Sequence, residues 1–159
     1  MIRETALRSC LWWLLGSWIG AWLLFAFGVS ITAFQVLAPD QAGRVVGPLL
    51  SGLHLYGAGA GVGLALLAWA LRRGPLTTAL PLAAGALCAV SQLAVTPEIA
   101  SLRQLALGPE GDLASAARFA HLHQLSMLLF SAVGAAAIAL VPLHVRADLR
   151  TGCSESPTR

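Results

Sequence analysis

Three imidazoles lie in otherwise apolar stretches of this chain, at His54, His121 and His123, and a carboxamide, Gln92, lies in a third such stretch. In hydrocarbon such groups are costly, and they turn toward the interior of a helix bundle or a water-filled cavity. Two histidines on facing helices, His54 with His121 or His123, have the chemistry of axial haem ligands. His123 and Met127 are four apart and share one helix face, an imidazole–thioether pair suited to copper. His121 and His123 point roughly 200° apart on a helix, so they do not hold one ion together.

Other patterns carry less chemistry. Cys10, Cys88 and Cys153 have the spacing of neither a zinc site nor a redox pair. Cys88 is expected to pack as a small apolar residue. No apolar stretch precedes Cys10, which argues against a lipoprotein cleavage site. In Gly57-Ala58-Gly59-Ala60-Gly61-Val62-Gly63 the dinucleotide pattern fails: its last position is Val62 counted from Gly57 and Leu64 counted from Gly59. The Lys-Ser/Thr of a phosphate loop is also missing, so helix packing is the reading. No nucleophile–base constellation stands out, and no enzyme activity or catalytic residue is expected. Glu98 and Arg103, with Glu110 and Asp112 beyond, are expected on a solvated loop face.

The elements that must position these groups follow from composition. Of 159 residues, 57% are hydrophobic and 11% charged. A soluble domain carries about 25% charged residues, so lipid is the expected solvent. The basic residues are all Arg, scattered in ones and twos, which excludes a nucleic-acid face. Apolar runs near residues 11–35, 48–71, 77–95 and 119–141 each reach the ~20 helical residues that cross a bilayer. The expected fold is an all-α, four-helix transmembrane bundle. Trp12, Trp13 and Trp18 suit an interfacial belt. A cleaved secretory signal is the rival for the first run, which is longer than the usual apolar core of such a signal. Pro39 to Arg44 should break the chain before a span starting at Pro48. Arg72-Arg73-Gly74-Pro75 should end that span. Pro81 should fall in the first turns of the third. Thr96 as cap and Pro97 at the first helical position predict a short amphipathic helix over 97–107 lying on the membrane. Gly108 to Asp112 should form a turn with Asp112 capping the fourth helix, and residues 146–159 a disordered tail.

Arginines set orientation. The amino-terminal segment, the 72–73 loop and the tail carry seven, and the opposite side carries three, so both termini are expected in the cytoplasm. His54 then lies roughly 9 Å and His123 roughly 6 Å below the outer surface. Gln92 falls at a similar depth, and Gln35 lies near the outer end of span one. His54 shares a face with Gly57 and Gly61, and His123 with Ser126, Met127, Phe130 and Gly134. A pocket lined by His54, Gln92 and His123 is expected. The candidate ligand-binding set is His54, Gln92, Glu98, Arg103, His123 and Ser126. The bland alternative is that each polar group only hydrogen-bonds between helices.

Three stretches resemble the transmembrane protein 205-like family, including its bacterial members of unknown function. They are Ala42-Gly43-Arg44-Val45-Val46-Gly47-Pro48-Leu49-Leu50 leading into His54, Thr96 through Arg103, and Phe119 through His123 to Leu125-Ser126-Met127. The resemblance implies a four-helix membrane fold over about residues 10 to 145, with matches at Pro97, Glu98, Arg103, His123 and Ser126. It implies no settled enzyme activity. The chain departs from the family at His121 and at Leu53 and Leu55, where aromatics are usual.

The functional expectation is a multi-pass protein, of the bacterial inner membrane by preference, that binds or handles a small molecule or ion at an outer polar layer. The alternatives are a structural or assembly partner, docking a membrane protein or a second copy through Gly16 with Gly20 and Gly57 with Gly61, and a haem- or copper-binding protein. No cofactor other than that haem or copper is expected.

Overall fold

The structure is a computed structural model and describes residues 2–107 and 112–154. In chain order it contains α1 (Ile2–Leu23), a π-helical stretch (Leu24–Ser30), α2 (Ile31–Val36), α3 (Pro39–Ala70), α4 (Pro75–Val90), a second π-helical stretch (Ser91–Val95), α5 (Thr96–Leu107) and α6 (Leu113–Ser154). No strand occurs among the described residues. Four helical stretches are long and apolar enough to cross a membrane: Ile2–Val36, Pro39–Ala70, Pro75–Arg103 and Leu113–Arg150. Their outer surface is apolar, with Trp13, Phe27, Leu66, Trp69, Leu93 and Leu128 among the exposed side chains. So extensive an apolar surface on helices of this length is suited to lipid. The chain is a multi-pass membrane protein built as a four-helix bundle.

The spans alternate in direction. Arg8, Arg73 and Asp148 meet at one end, called basal here, and Gly43 and Arg103 meet at the other, called apical. Between them lies a core of Leu11, Leu15 and Trp18 from α1, Ala60 and Leu64 from α3, Ala84 and Cys88 from α4, and Val133, Ala137 and Leu140 from α6.

Small residues set the tightest crossing. A methyl group added at Gly61 would meet the Pro81 carbonyl oxygen and lie 2.9 Å from Gly85 Cα; one added at Gly57 would lie 2.7 Å from Cys88 Sγ. The expected Gly57–Gly61 face is therefore filled by α4 of the same chain. Gly16 and Gly20 have open space before them. On α6, Gly134 makes room for the Trp22 ring. Trp22 also donates its indole N–H to Phe130 O at 3.1 Å and stacks on the Phe130 ring at 5.0 Å.

Prolines explain where the breaks differ from expectation. Pro39 is at the first helical position of α3, and Ala38 before it is extended, as the residue before a proline should be. The connection between the first two spans is only Leu37–Ala38. Residues 39–44 are helical, and Pro48 lies inside α3. Pro81 lies inside α4, beyond its first turn. Thr96 is not a cap: its backbone is helical, and its hydroxyl donates to Ser91 O at 2.9 Å. Pro97 has no N–H for the carbonyl one turn back, and the widened turn over Ser91–Val95 lies just before it. The third span therefore runs on into α5 without a break. Asp112 caps α6 as expected, accepting from Ser115 N at 2.9 Å. The Ser115 hydroxyl and amide together hold this carboxylate below its ordinary value. The helix continues through Ser154, which corrects the disordered tail expected from residue 146. Residues 108–111 of the expected turn and residues 155–159 lie outside the described residues.

Candidate functional site

The apical end holds a cavity of about 930 Å³. The first span supplies Trp22, Phe25, Phe27 and Phe34, and the head of α3 supplies Gly43, Val46, Gly47, Leu50 and Ser51 among others. The far wall is Thr96, Ile99 and Arg103 of the α5 region and His123, Ser126, Met127 and Phe130 of α6. The π-helical stretch at Leu24–Ser30 lines it directly through Phe25, Ala26, Phe27 and Ser30. Widened turns of this kind recur at functional sites.

Arg103 is the distinctive group. Its guanidinium lies along the glycine face of α3: a methyl at Gly43 would be 3.2 Å from Arg103 Cζ, and one at Gly47 would be 3.7 Å from Nη2. Glycine at these two positions, one helical turn apart, lets the planar group lie close to the backbone. No acidic partner of Arg103 is present among the described residues. Arg44, also on the cavity wall, is paired with Asp40 at 3.1 Å. His123 stacks parallel to Phe119 at 6.2 Å, and Ser126 is buried.

Three of the six residues expected to form the site, Arg103, His123 and Ser126, line this cavity, joined by Met127. The other three do not. His54 is 3% exposed, and Gln92 lies against its ring, outside the cavity lining. Hydrogen-bond geometry is not met at His54 Nδ1 or Gln92 Oε1, and neither atom has a partner; Ser91 Oγ, also buried, has none. The expected pocket shared by His54, Gln92 and His123 is thus two separate places. His54 follows Leu50 and Ser51 of the cavity lining by four and three residues on the same face, and Gln92 precedes Thr96 by four, so both groups lie about one helical turn deeper than the cavity lining. Glu98 forms an ion pair with Arg118 of α6, clamping α5 to it. That pair spans 20 residues of sequence, so Glu98 is engaged across helices where a solvated loop face is the expectation. Among the described residues no three of His, Cys, Asp and Glu cluster as a metal site.

A second polar centre, not expected from the sequence, lies at the basal end. Asp148 accepts from Arg73 Nη2 at 2.5 Å and from Trp12 Nε1 at 3.1 Å, and Arg8 Nε lies 3.8 Å away. Arg73, whose side chain is 4% exposed, also donates to His144 O at 3.3 Å and meets His144 Nδ1 at 3.2 Å. An accepting Nδ1 puts the ring proton on Nε2, which is buried without a partner. Burial pulls the Arg73 guanidinium below its ordinary value, and Asp148 opposes that pull. The signal lay in the spacing of His144 and Asp148, four apart and therefore on one face once α6 is known to continue.

A family model for a domain of unknown function, DUF4149, matches residues 13–107, more than half of the chain. No curated protein and no solved structure matches it.

Proposed function

Because the chain belongs to the DUF4149 family, we propose for this member of it a binding role without catalysis: an inner-membrane protein, its basal end in the cytoplasm, that holds a small amphiphile in the apical cavity. The observation that carries this reading is the Arg103 guanidinium, without an acidic partner among the described residues and laid on Gly43 and Gly47 at the edge of a mainly apolar chamber. Chambers of this size with a few convergent polar groups hold small molecules. A guanidinium in low dielectric calls for a planar anion such as a carboxylate. His123 and the Ser126 hydroxyl would add hydrogen bonds, and Trp22, Phe25 and Phe130 would cover the apolar part. The three stretches that resemble the transmembrane protein 205-like family include the head of α3, Arg103 and the start of α6. That likeness supports the same site.

Trp22 lines the chamber, so a brominated fatty acid titrated into the detergent-solubilised protein should quench it saturably. Arg103→Gln should weaken that binding by on the order of tenfold, the worth of one charged hydrogen bond. Quenching that does not saturate, and is unchanged by both Arg103→Gln and Trp22→Phe, would exclude the reading.

Helix docking is a second reading, favoured by the open space at Gly16 and Gly20. Oxidative crosslinking through the exposed Cys10, lost in Gly16→Leu, would support it. A haem held by both His54 and His123 has no support from their separate positions. Copper held by His123 and Met127 is tested by elemental analysis of the purified protein.

A further inference from the structure

We propose that the cleft at the basal end is a binding site for the phosphate headgroup of an anionic phospholipid. The cleft has a volume of about 470 Å³, and its charged lining is Arg8, Arg72, Arg73, Arg146 and Arg150 against one carboxylate, Asp148. Asp148 is already engaged by Arg73 and Trp12. Among the described residues Arg72, Arg146 and Arg150 have no acidic partner. Three guanidiniums without an acidic partner among the described residues, around one concavity, leave a positive field, and anionic headgroups are the counter-charge that a membrane supplies at this depth.

The depth is fixed by tryptophan. Trp13 and Trp69 are 80% and 72% exposed. Trp69 shares a neighbouring groove with Arg3 and Arg72, and Trp13 shares another with Arg8. Exposed tryptophans on a membrane protein mark the headgroup layer, so the arginines face phosphates and not acyl chains. The turn itself favours charge over backbone comfort. α3 ends with Arg72 N–H donating to Trp69 O and Arg73 N–H to Ala68 O, each at the distance of a good hydrogen bond, 2.9 and 3.0 Å. This turn puts its penultimate residue in the left-handed region, where glycine is the usual occupant. Here that residue is Arg72, at φ 53°. An arginine in that conformation costs about 1 kcal/mol or more, and the cleft gives it a purpose.

Arg72→Gly separates charge from fold, because it relieves the backbone while removing one guanidinium. The experiment compares wild type, Arg72→Gly and Arg72→Gly/Arg150→Gln in nanodiscs of phosphatidylcholine with and without phosphatidylglycerol. The readouts are the thermal midpoint and the lipid retained on native mass spectrometry. Wild type should retain phosphatidylglycerol preferentially and melt higher in its presence. Near the membrane surface each arginine contributes about 1 kcal/mol, so the double variant, which loses two, should lose roughly 30-fold in that preference. Equal retention of both lipids by wild type, or an undiminished preference in the double variant, overturns the proposal. Inorganic phosphate or glycerol phosphate reproducing the shift in phosphatidylcholine discs also overturns it, in favour of a soluble anion.

Discussion

Asp148 holds Arg73 from 75 residues away, and through that one carboxylate the start of α1, the α3–α4 turn and the end of α6 are joined. The guanidinium is almost wholly buried, and this partner offsets the cost of burying its charge. Removing one member of a buried pair strands the other and costs roughly 3 kcal/mol or more. Asp148→Ala should lower the thermal midpoint in detergent strongly. Arg73→Met/Asp148→Leu should recover much of that loss, because no buried charge is then left alone. A double variant no better than the single would show that the pair does not hold this end.

The α3–α4 crossing should be intolerant of a single methyl group. At Gly61 that methyl would meet backbone of α4, and backbone cannot swing aside. Gly61→Ala is expected to cost about 1–3 kcal/mol. Gly16→Ala, facing open space, should stay within about 0.5 kcal/mol of wild type. The contrast is read from two melting curves under one detergent condition.

His54 and Gln92 present a different case. Buried polar atoms without partners are a burden on the fold, and replacing both groups by apolar ones of similar shape is close to neutral. His54→Leu/Gln92→Leu should therefore match or exceed wild-type stability. If the double variant instead loses several degrees, these groups have partners that the bundle depends on. Ligand binding in the apical cavity should be unchanged, since neither residue lines it.

The cap on α6 gives a pH dependence. Asp112 has its carboxylate held below the ordinary value by Ser115. A depressed acid contributes stability fully above its unfolded value, and the contribution fades as pH falls through the folded value. Hydrogen exchange over the first turn of α6 should be slow at neutral pH and accelerate, relative to the intrinsic rate, as the medium is acidified below about pH 4. Asp112→Ala should show the accelerated behaviour at every pH.

The four spans were legible because length and apolarity alone decide them, and the cap at Asp112 because its chemistry is local. The tertiary roles of prolines were harder to read. Pro39 was expected in a loop and starts a helix, while Pro48 was expected at a start and lies inside one. A proline marks a place where one hydrogen bond is missing, and only the neighbouring spans decide whether the helix survives that loss. The apical site was half legible. Arg103, His123 and Ser126 fall in one cavity, whereas His54 lies a turn deeper on the α3 face that lines it, and Glu98 is held by Arg118. The basal centre was harder to read, because beyond the His144–Asp148 spacing its members come from three distant parts of the chain.

The Leu37–Ala38 link has a mechanical consequence. Two residues span at most about 7 Å, so the first and second spans are hobbled together at the apical rim. The opposite wall is tied by the whole of α5 before α6 begins. At that rim the first two spans can part by no more than this tether allows, whereas the third and fourth spans are joined through the length of α5.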